Sequence, residues 1–176
     1  EGTNINVHYI TNYNNPLSWK ATVKLIKSLN PDKVIFQWAI AIQGIPLGFI
    51  AKNLKKESNI EVFFDLHFVI QKEGSALDNR LTRLGIINAD SYIVHAFKTA
   101  EELKQLFPKR KFEIIKKGDS IEGDGIKVLK LYHPVYDMFK PDSNFDKSKT
   151  KKEMGLKENV FLFFGFIRKY KGLHNV

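Results

Sequence analysis

No cysteine occurs among the 176 residues, which excludes a disulfide framework, a zinc–thiolate site and a thiol nucleophile. The absence agrees with a reducing compartment. No G-x-S-x-G segment is present, so the nucleophile elbow of an ordinary hydrolase is missing. There is no Walker A loop, and Gly123-x-Gly125 lacks the third glycine of a dinucleotide loop. No Asp-x-Asp pair presents a divalent ion to a nucleotide. The five histidines, His8, His67, His95, His133 and His174, are nowhere at metal-binding spacing along the chain. No short apolar run follows a basic N-terminus, so no secretory signal is visible. Val34 to Ala51 runs 18 residues without a charge. Its Gln37, Gln43, Gly44, Pro46 and Gly48 suit a membrane-spanning helix poorly. It reads as a buried strand, a loop through Gly44 and a helix opened by Pro46.

What is abundant is apolar and basic. Hydrophobic residues make up 43% of the chain, 14 of them Phe, too many for disorder and enough for a sizeable core. The length suits one domain, or one domain with a piece of another. Residue 1 is Glu rather than Met, as expected of a processed chain or a piece of a longer one. The net charge is +9, and residues 98–152 alone hold 14 basic against 9 acidic side chains. Small clusters lie at Lys109-Arg110-Lys111, Lys116-Lys117 and Lys151-Lys152. Such a surplus favours anionic partners, or simply makes a solvated, lysine-rich surface. No arginine-rich arm or aromatic RNA-binding motif accompanies it, so nucleic acid is not an expected partner.

Strand and helix signals alternate along the chain. Ile5, Val7 and Tyr9 suggest a strand over 4–10. Asn15-Pro16 starts a helix whose buried stripe is Trp19, Val23, Ile26 and Leu29. A strand over 33–38, a helix over about 46–57 and a strand over 61–66 follow. Leu77, Leu81, Leu84 and Ile87 mark a further amphipathic helix, and Ser91–His95 a strand. Thr99 to Glu102 reads as a capping box opening a helix that runs to about Leu106. Residues 111–117 and 126–131 read as strands, either a hairpin or two separate edge strands. Val160 to Phe164 is a last buried strand, entering the glycine-bounded loop Gly165 to Gly172. Repeated strand–helix units with near-continuous apolar strands predict the α/β class, a Rossmann-like parallel sheet flanked by helices. Ligands of such sheets bind at the carboxyl ends of the strands. That singles out the loops at Gln37–Gly44, His67–Gly74 and Gly165–Gly172. In the last, Arg168 and Lys171 put a fork and a point charge where a diphosphate fits.

Several segments, in this order, resemble the family-4 glycosyltransferases, retaining enzymes of the GT-B fold. They are Asn15-Pro16-Leu17-Ser18-Trp19, Phe36-Gln37-Trp38, His67-Phe68-Val69 with Glu73, and Ala89-Asp90-Ser91-Tyr92-Ile93-Val94-His95. His133-Pro134-Val135-Tyr136-Asp137-x-Phe139 and Phe163-Phe164-Gly165-x-Ile167-Arg168-x-Tyr170-Lys171-Gly172-Leu173 complete the set. The resemblance implies that residues 1–140 are most of a Rossmann-like acceptor-side domain whose start is missing. Residues 141–158 would be a linker, and 159–176 the first strand and loop of an incomplete nucleotide-sugar-binding domain.

By the same resemblance His67 is the catalytic histidine beside the reacting sugar. Lys171, Arg168 and Gly165 bind the donor diphosphate, and Glu73 matches an acidic substrate-side residue. Phe166 stands where the family usually has arginine, and Phe68 where it usually has asparagine. His95 and His133 are expected to be structural. The implied substrates are a nucleotide-sugar donor and a saccharide or lipid-linked acceptor, with no cofactor and no metal. The implied setting is the cytoplasm, with peripheral contact at the inner membrane face, in cell-surface polysaccharide or glycolipid synthesis. The alternative is a non-catalytic domain that binds acceptor or a partner.

Overall fold

Parallel strands must be joined by crossovers that return over the sheet, usually helices, and this chain follows that rule for most of its length. A computed structural model describes the chain except residues 1–4, 57, 72–73, 117, 121–122, 134–137, 139, 168–170 and 176. It falls into two units, Glu1–Pro134 and Val135–Val176. The first contains α1 (Pro16–Leu29), β1 (Lys33–Trp38), α2 (Gly44–Leu54), β2 (Glu61–Leu66), α3 (Ala76–Ile86), β3 (Ser91–Val94), α4 (Phe97–Leu106), β4 (Phe112–Lys116) and β5 (Ile126–Lys130). All pairings are parallel, in the order β1-β2-β3-β5-β4. The chain is thus an α/β protein with a five-stranded parallel sheet flanked by helices, a Rossmann-like arrangement.

Two local signals behave as the sequence suggests. Asn15 caps α1, its Oδ1 accepting from Leu17 N at 3.0 Å, with Pro16 as the first helical residue. β1 and β2 have the expected limits. The strands bury alternate residues: Phe36 and Trp38, Val62, Phe64 and Leu66, Tyr92 and Val94, and Val128 form the core face. Ile50, Ala51 and Leu54 of α2, Ile86 of α3, and Ala100 and Leu103 of α4 join the same cluster. Each fully buried large side chain contributes roughly 1.5–3 kcal/mol. The opposite face carries Lys33, Ile35, Gln37, Glu61, Phe63, Asp65, Ser91 and Ile93, none of them buried. Within the described residues of this unit, the side chains of that face are thus less covered than those of the core face.

Elsewhere the structure corrects the expectations. α3 forms, but Leu77 and Leu84 are exposed, and its buried residues are Thr82, Gly85 and Ile86. The reason is a close backbone crossing. A Cβ on Gly44 would stand 2.0 Å from the Leu81 carbonyl oxygen, and one on Gly85 would stand 2.7 Å from both Gly44 Cα and the Trp38 ring. The buried stripe expected of α1 is only half-buried: Trp19, Val23 and Ile26 pack against the core without being buried, and Leu29 is exposed. The capping box at Thr99 does not form. α4 begins three residues earlier, after Ala96, and Thr99 is buried within it. A box does occur at α3, where Ser75 and Asp78 bond reciprocally.

The hairpin alternative for 111–131 also fails, because β4 and β5 are parallel neighbours with Phe112 opposite Ile126. The connection is shorter than the dozen or so residues usual for a parallel crossover, and the two strands have only 5 residues each. Its glycines wrap a carboxylate rather than a phosphate. Gly125 N donates to Glu113 Oε1 at 3.0 Å, and Lys127 Nζ bonds the other oxygen and the Gly123 carbonyl. The Lys127 ammonium and the Gly125 amide hold the Glu113 carboxyl below its ordinary value.

Residues 5–10 form no strand, and Ile5, Val7 and Tyr9 are exposed. In the second unit, a helix α5 (Lys147–Glu153) capped by Asp146 lies within the stretch expected to be a linker. The buried strand expected over 160–164 is not formed, and Phe161 and Phe164 are about nine-tenths exposed. Both segments have the apolar content of a strand, but neither has a neighbouring strand to satisfy its backbone groups.

Candidate functional site

The register fixes what meets at the carboxyl edge of the sheet. Gln37, Asp65 and Ile93 are aligned across β1, β2 and β3 on the half-exposed face. His67 follows β2 by one residue, and His95 follows β3 by one, so both extend the row begun by Asp65. His133 lies just beyond the end of β5, the strand next to β3.

These groups form a connected set. Gln37 Nε2 donates to Asp65 Oδ2 at 3.0 Å, and His95 Nε2 lies 2.8 Å from Asp65 Oδ1. A carboxylate oxygen only accepts, so His95 Nε2 is the donor to Asp65, and in a neutral ring Nδ1 is then the acceptor. That Nδ1 is inaccessible to solvent and has no hydrogen-bond partner. The ring of His133 stacks on His95 at 4.1 Å between centroids, and His67 stands 5.3 Å from His95 and 5.6 Å from His133. His67 and His133 are exposed, while His95 is mostly covered.

Glu102 anchors the loop that carries His67. Its Oε2 accepts from the amides of Val69 and Ile70, each at 3.2 Å. The glutamate read as the end of a capping box therefore reaches across from α4 and fixes the loop after β2. Tyr92 braces the opposite face, its hydroxyl donating to the Ile86 carbonyl at 2.7 Å. Burial pushes the Tyr92 phenol well above its ordinary value, with Arg110 opposing.

Of the residues singled out from the sequence, His67 lies in this cluster. His95 and His133, expected to be structural, stand beside it. Their convergence was invisible along the chain, because the parallel sheet brings three distant strand ends together. Asp65 and Gln37 carried no motif at all; only their place on adjacent strand ends reveals them. In the second unit Gly165 and Lys171 come together. A Cβ on Gly165, whose φ is 117°, would stand 3.0 Å from Lys171 Nζ, and that ammonium lies 5.8 Å from the Phe163 ring centre. Glu73 and Arg168 lie outside the described residues.

Comparison with models of known protein families finds none that matches the chain, and comparison with curated proteins also finds no match. No helix among the described residues is long and apolar enough to cross a membrane.

Proposed function

We propose that this chain is the acceptor-side part of a retaining glycosyltransferase of the GT-B type, acting on a nucleotide-sugar donor. The observation that carries the reading is the position of His67. It follows β2 directly on the carboxyl edge of a parallel, helix-flanked sheet, where sheets of this class bind ligands. The family resemblance calls for a histidine beside the reacting sugar at such a strand end. A supporting observation comes from the second unit, where a Cβ added to Gly165 would stand 3.0 Å from the Lys171 ammonium. A glycine that leaves backbone uncovered beside a cation suits a diphosphate.

In the reaction, the bond between the anomeric carbon and the diphosphate oxygen breaks, and the electron pair leaves with the phosphate. Lys171 and Arg168 stabilise the negative charge that develops there. An acceptor hydroxyl forms the new bond on the same face and passes its proton to the departing diphosphate oxygen, with His67 supplying a hydrogen-bonding imidazole beside the sugar.

The test uses the protein encoded by the whole gene, incubated with uridine, guanosine and adenosine diphosphate sugars and candidate saccharide acceptors. The expected result is nucleoside diphosphate release that falls at least about 100-fold in His67→Ala. Release from no donor refutes the reading. Saccharide binding without release points instead to a non-catalytic binding domain.

A further inference from the structure

The three imidazoles at the carboxyl edge have a property that sugar chemistry does not use. One ring nitrogen each of His67, His95 and His133 lie within 4.8 Å of one another. His95 is already arranged as metal-ligating histidines are: its Nε2–H is held by a carboxylate and its Nδ1 is bare and unpartnered. The carboxylate is held in turn by Gln37. A buried ring nitrogen without a partner is costly unless something binds it.

We propose that His67, His95 and His133 form a zinc site, with Asp65 orienting His95 and a fourth position open to water. Zinc–nitrogen bonds of about 2.0–2.1 Å in tetrahedral geometry require nitrogens about 3.3 Å apart. The rings now stack within 20° of parallel. Closure therefore needs rotation of the two exposed rings, His67 and His133, toward a fixed His95. Three neutral imidazoles without thiolate suit zinc and its neighbours cobalt and nickel, and disfavour copper(I). Three protein ligands, two of them on exposed rings, leave a coordination position for solvent or a small anion.

The inference does not rest on the glycosyl-transfer reading, which calls for no metal. The zinc-bound chain is a state distinct from the one that transfers sugar, because a zinc ion on His67 withholds that imidazole from the acceptor.

The test is titration of tag-free, metal-stripped full chain with zinc chloride by calorimetry, and with cobalt chloride by visible absorption. One zinc per chain, with intense tetrahedral cobalt bands, is expected. Asp65→Asn should weaken zinc about 10–100-fold, and His95→Ala or His133→Ala should weaken it more. Because a variant can fail to fold, the histidine ring signals of the wild-type protein are followed by NMR in parallel. Zinc should shift His67, His95 and His133 and leave His8 and His174 in place. No stoichiometric binding, or shifts confined to His8 and His174, overturns the proposal. So does unweakened zinc binding in folded His95→Ala.

Discussion

Replacing Gly44 by alanine tests whether α2 and α3 cross at backbone contact. Gly44 has ordinary right-handed helical angles, φ −59° and ψ −36°, so alanine is tolerated by the backbone itself. Helix propensity and the stiffer unfolded chain would even favour it by up to about 1 kcal/mol. Against this, the added Cβ stands 2.0 Å from Leu81 O and 2.7 Å from Leu81 C, where ordinary contact begins at 3.4 Å. The obstacle is backbone, so relief requires moving a helix by roughly 1 Å rather than turning a side chain. Overpacking of this kind costs about 1–3 kcal/mol. The net expectation is a loss of about 1–2 kcal/mol, read as a lower urea midpoint at unchanged slope. Lys52→Ala, exposed on the same helix, should change stability by less than about 0.5 kcal/mol. Gly44→Ala with Gly85→Ala should cost less than the two separately, since helices already parted accommodate the second methyl. Wild-type stability in Gly44→Ala would refute the contact, and full additivity would refute the shared displacement.

Other expectations follow from single groups. Tyr92→Phe removes a buried hydrogen bond to the Ile86 carbonyl and should cost about 1–2 kcal/mol by chemical denaturation. The Tyr92 phenol is raised in the fold, so its contribution is complete below the ordinary value of 10.0 and is lost as pH rises above it. The variant should lack that alkaline decline. Glu113 is depressed, so its contribution is present above the ordinary 4.5 and is lost as pH falls through the lower folded value. Glu113→Gln should flatten the acid limb of the stability curve. Glu102→Ala should speed amide exchange at Val69 and Ile70, the two donors it holds, with little change in the core strands.

The sequence showed the sheet more clearly than the site. β1 and β2 were legible to the residue, because each is an apolar run bounded by turns and needs no knowledge of its neighbours. The Asn15 cap was legible for the same reason. The buried face of α3 was not, since counting leucines cannot detect a helix crossing that demands Gly85 and leaves Leu77 and Leu84 outside. Segments 5–10 and 160–164 have strand composition, but strand formation depends on a partner that composition does not supply. The loop that begins at His67 was legible from its place after a strand, whereas a role for His67 itself was expected only through resemblance. Its connection to His95, His133 and Asp65 depends on strand order, which places ends remote in sequence side by side. Glu102 shows the same limit: its spacing from Thr99 suggested a local cap, and its partners lie on another loop.

The role proposed for the carboxyl edge of this sheet is a retaining glycosyl transfer. The most direct measurement is the anomeric configuration of the product, read from the proton coupling constant at the new glycosidic carbon by NMR during turnover. An α-linked donor sugar should give an α-linked product, with the signal lost in His67→Ala. An inverted product would contradict the account, and so would turnover unchanged by removal of His67.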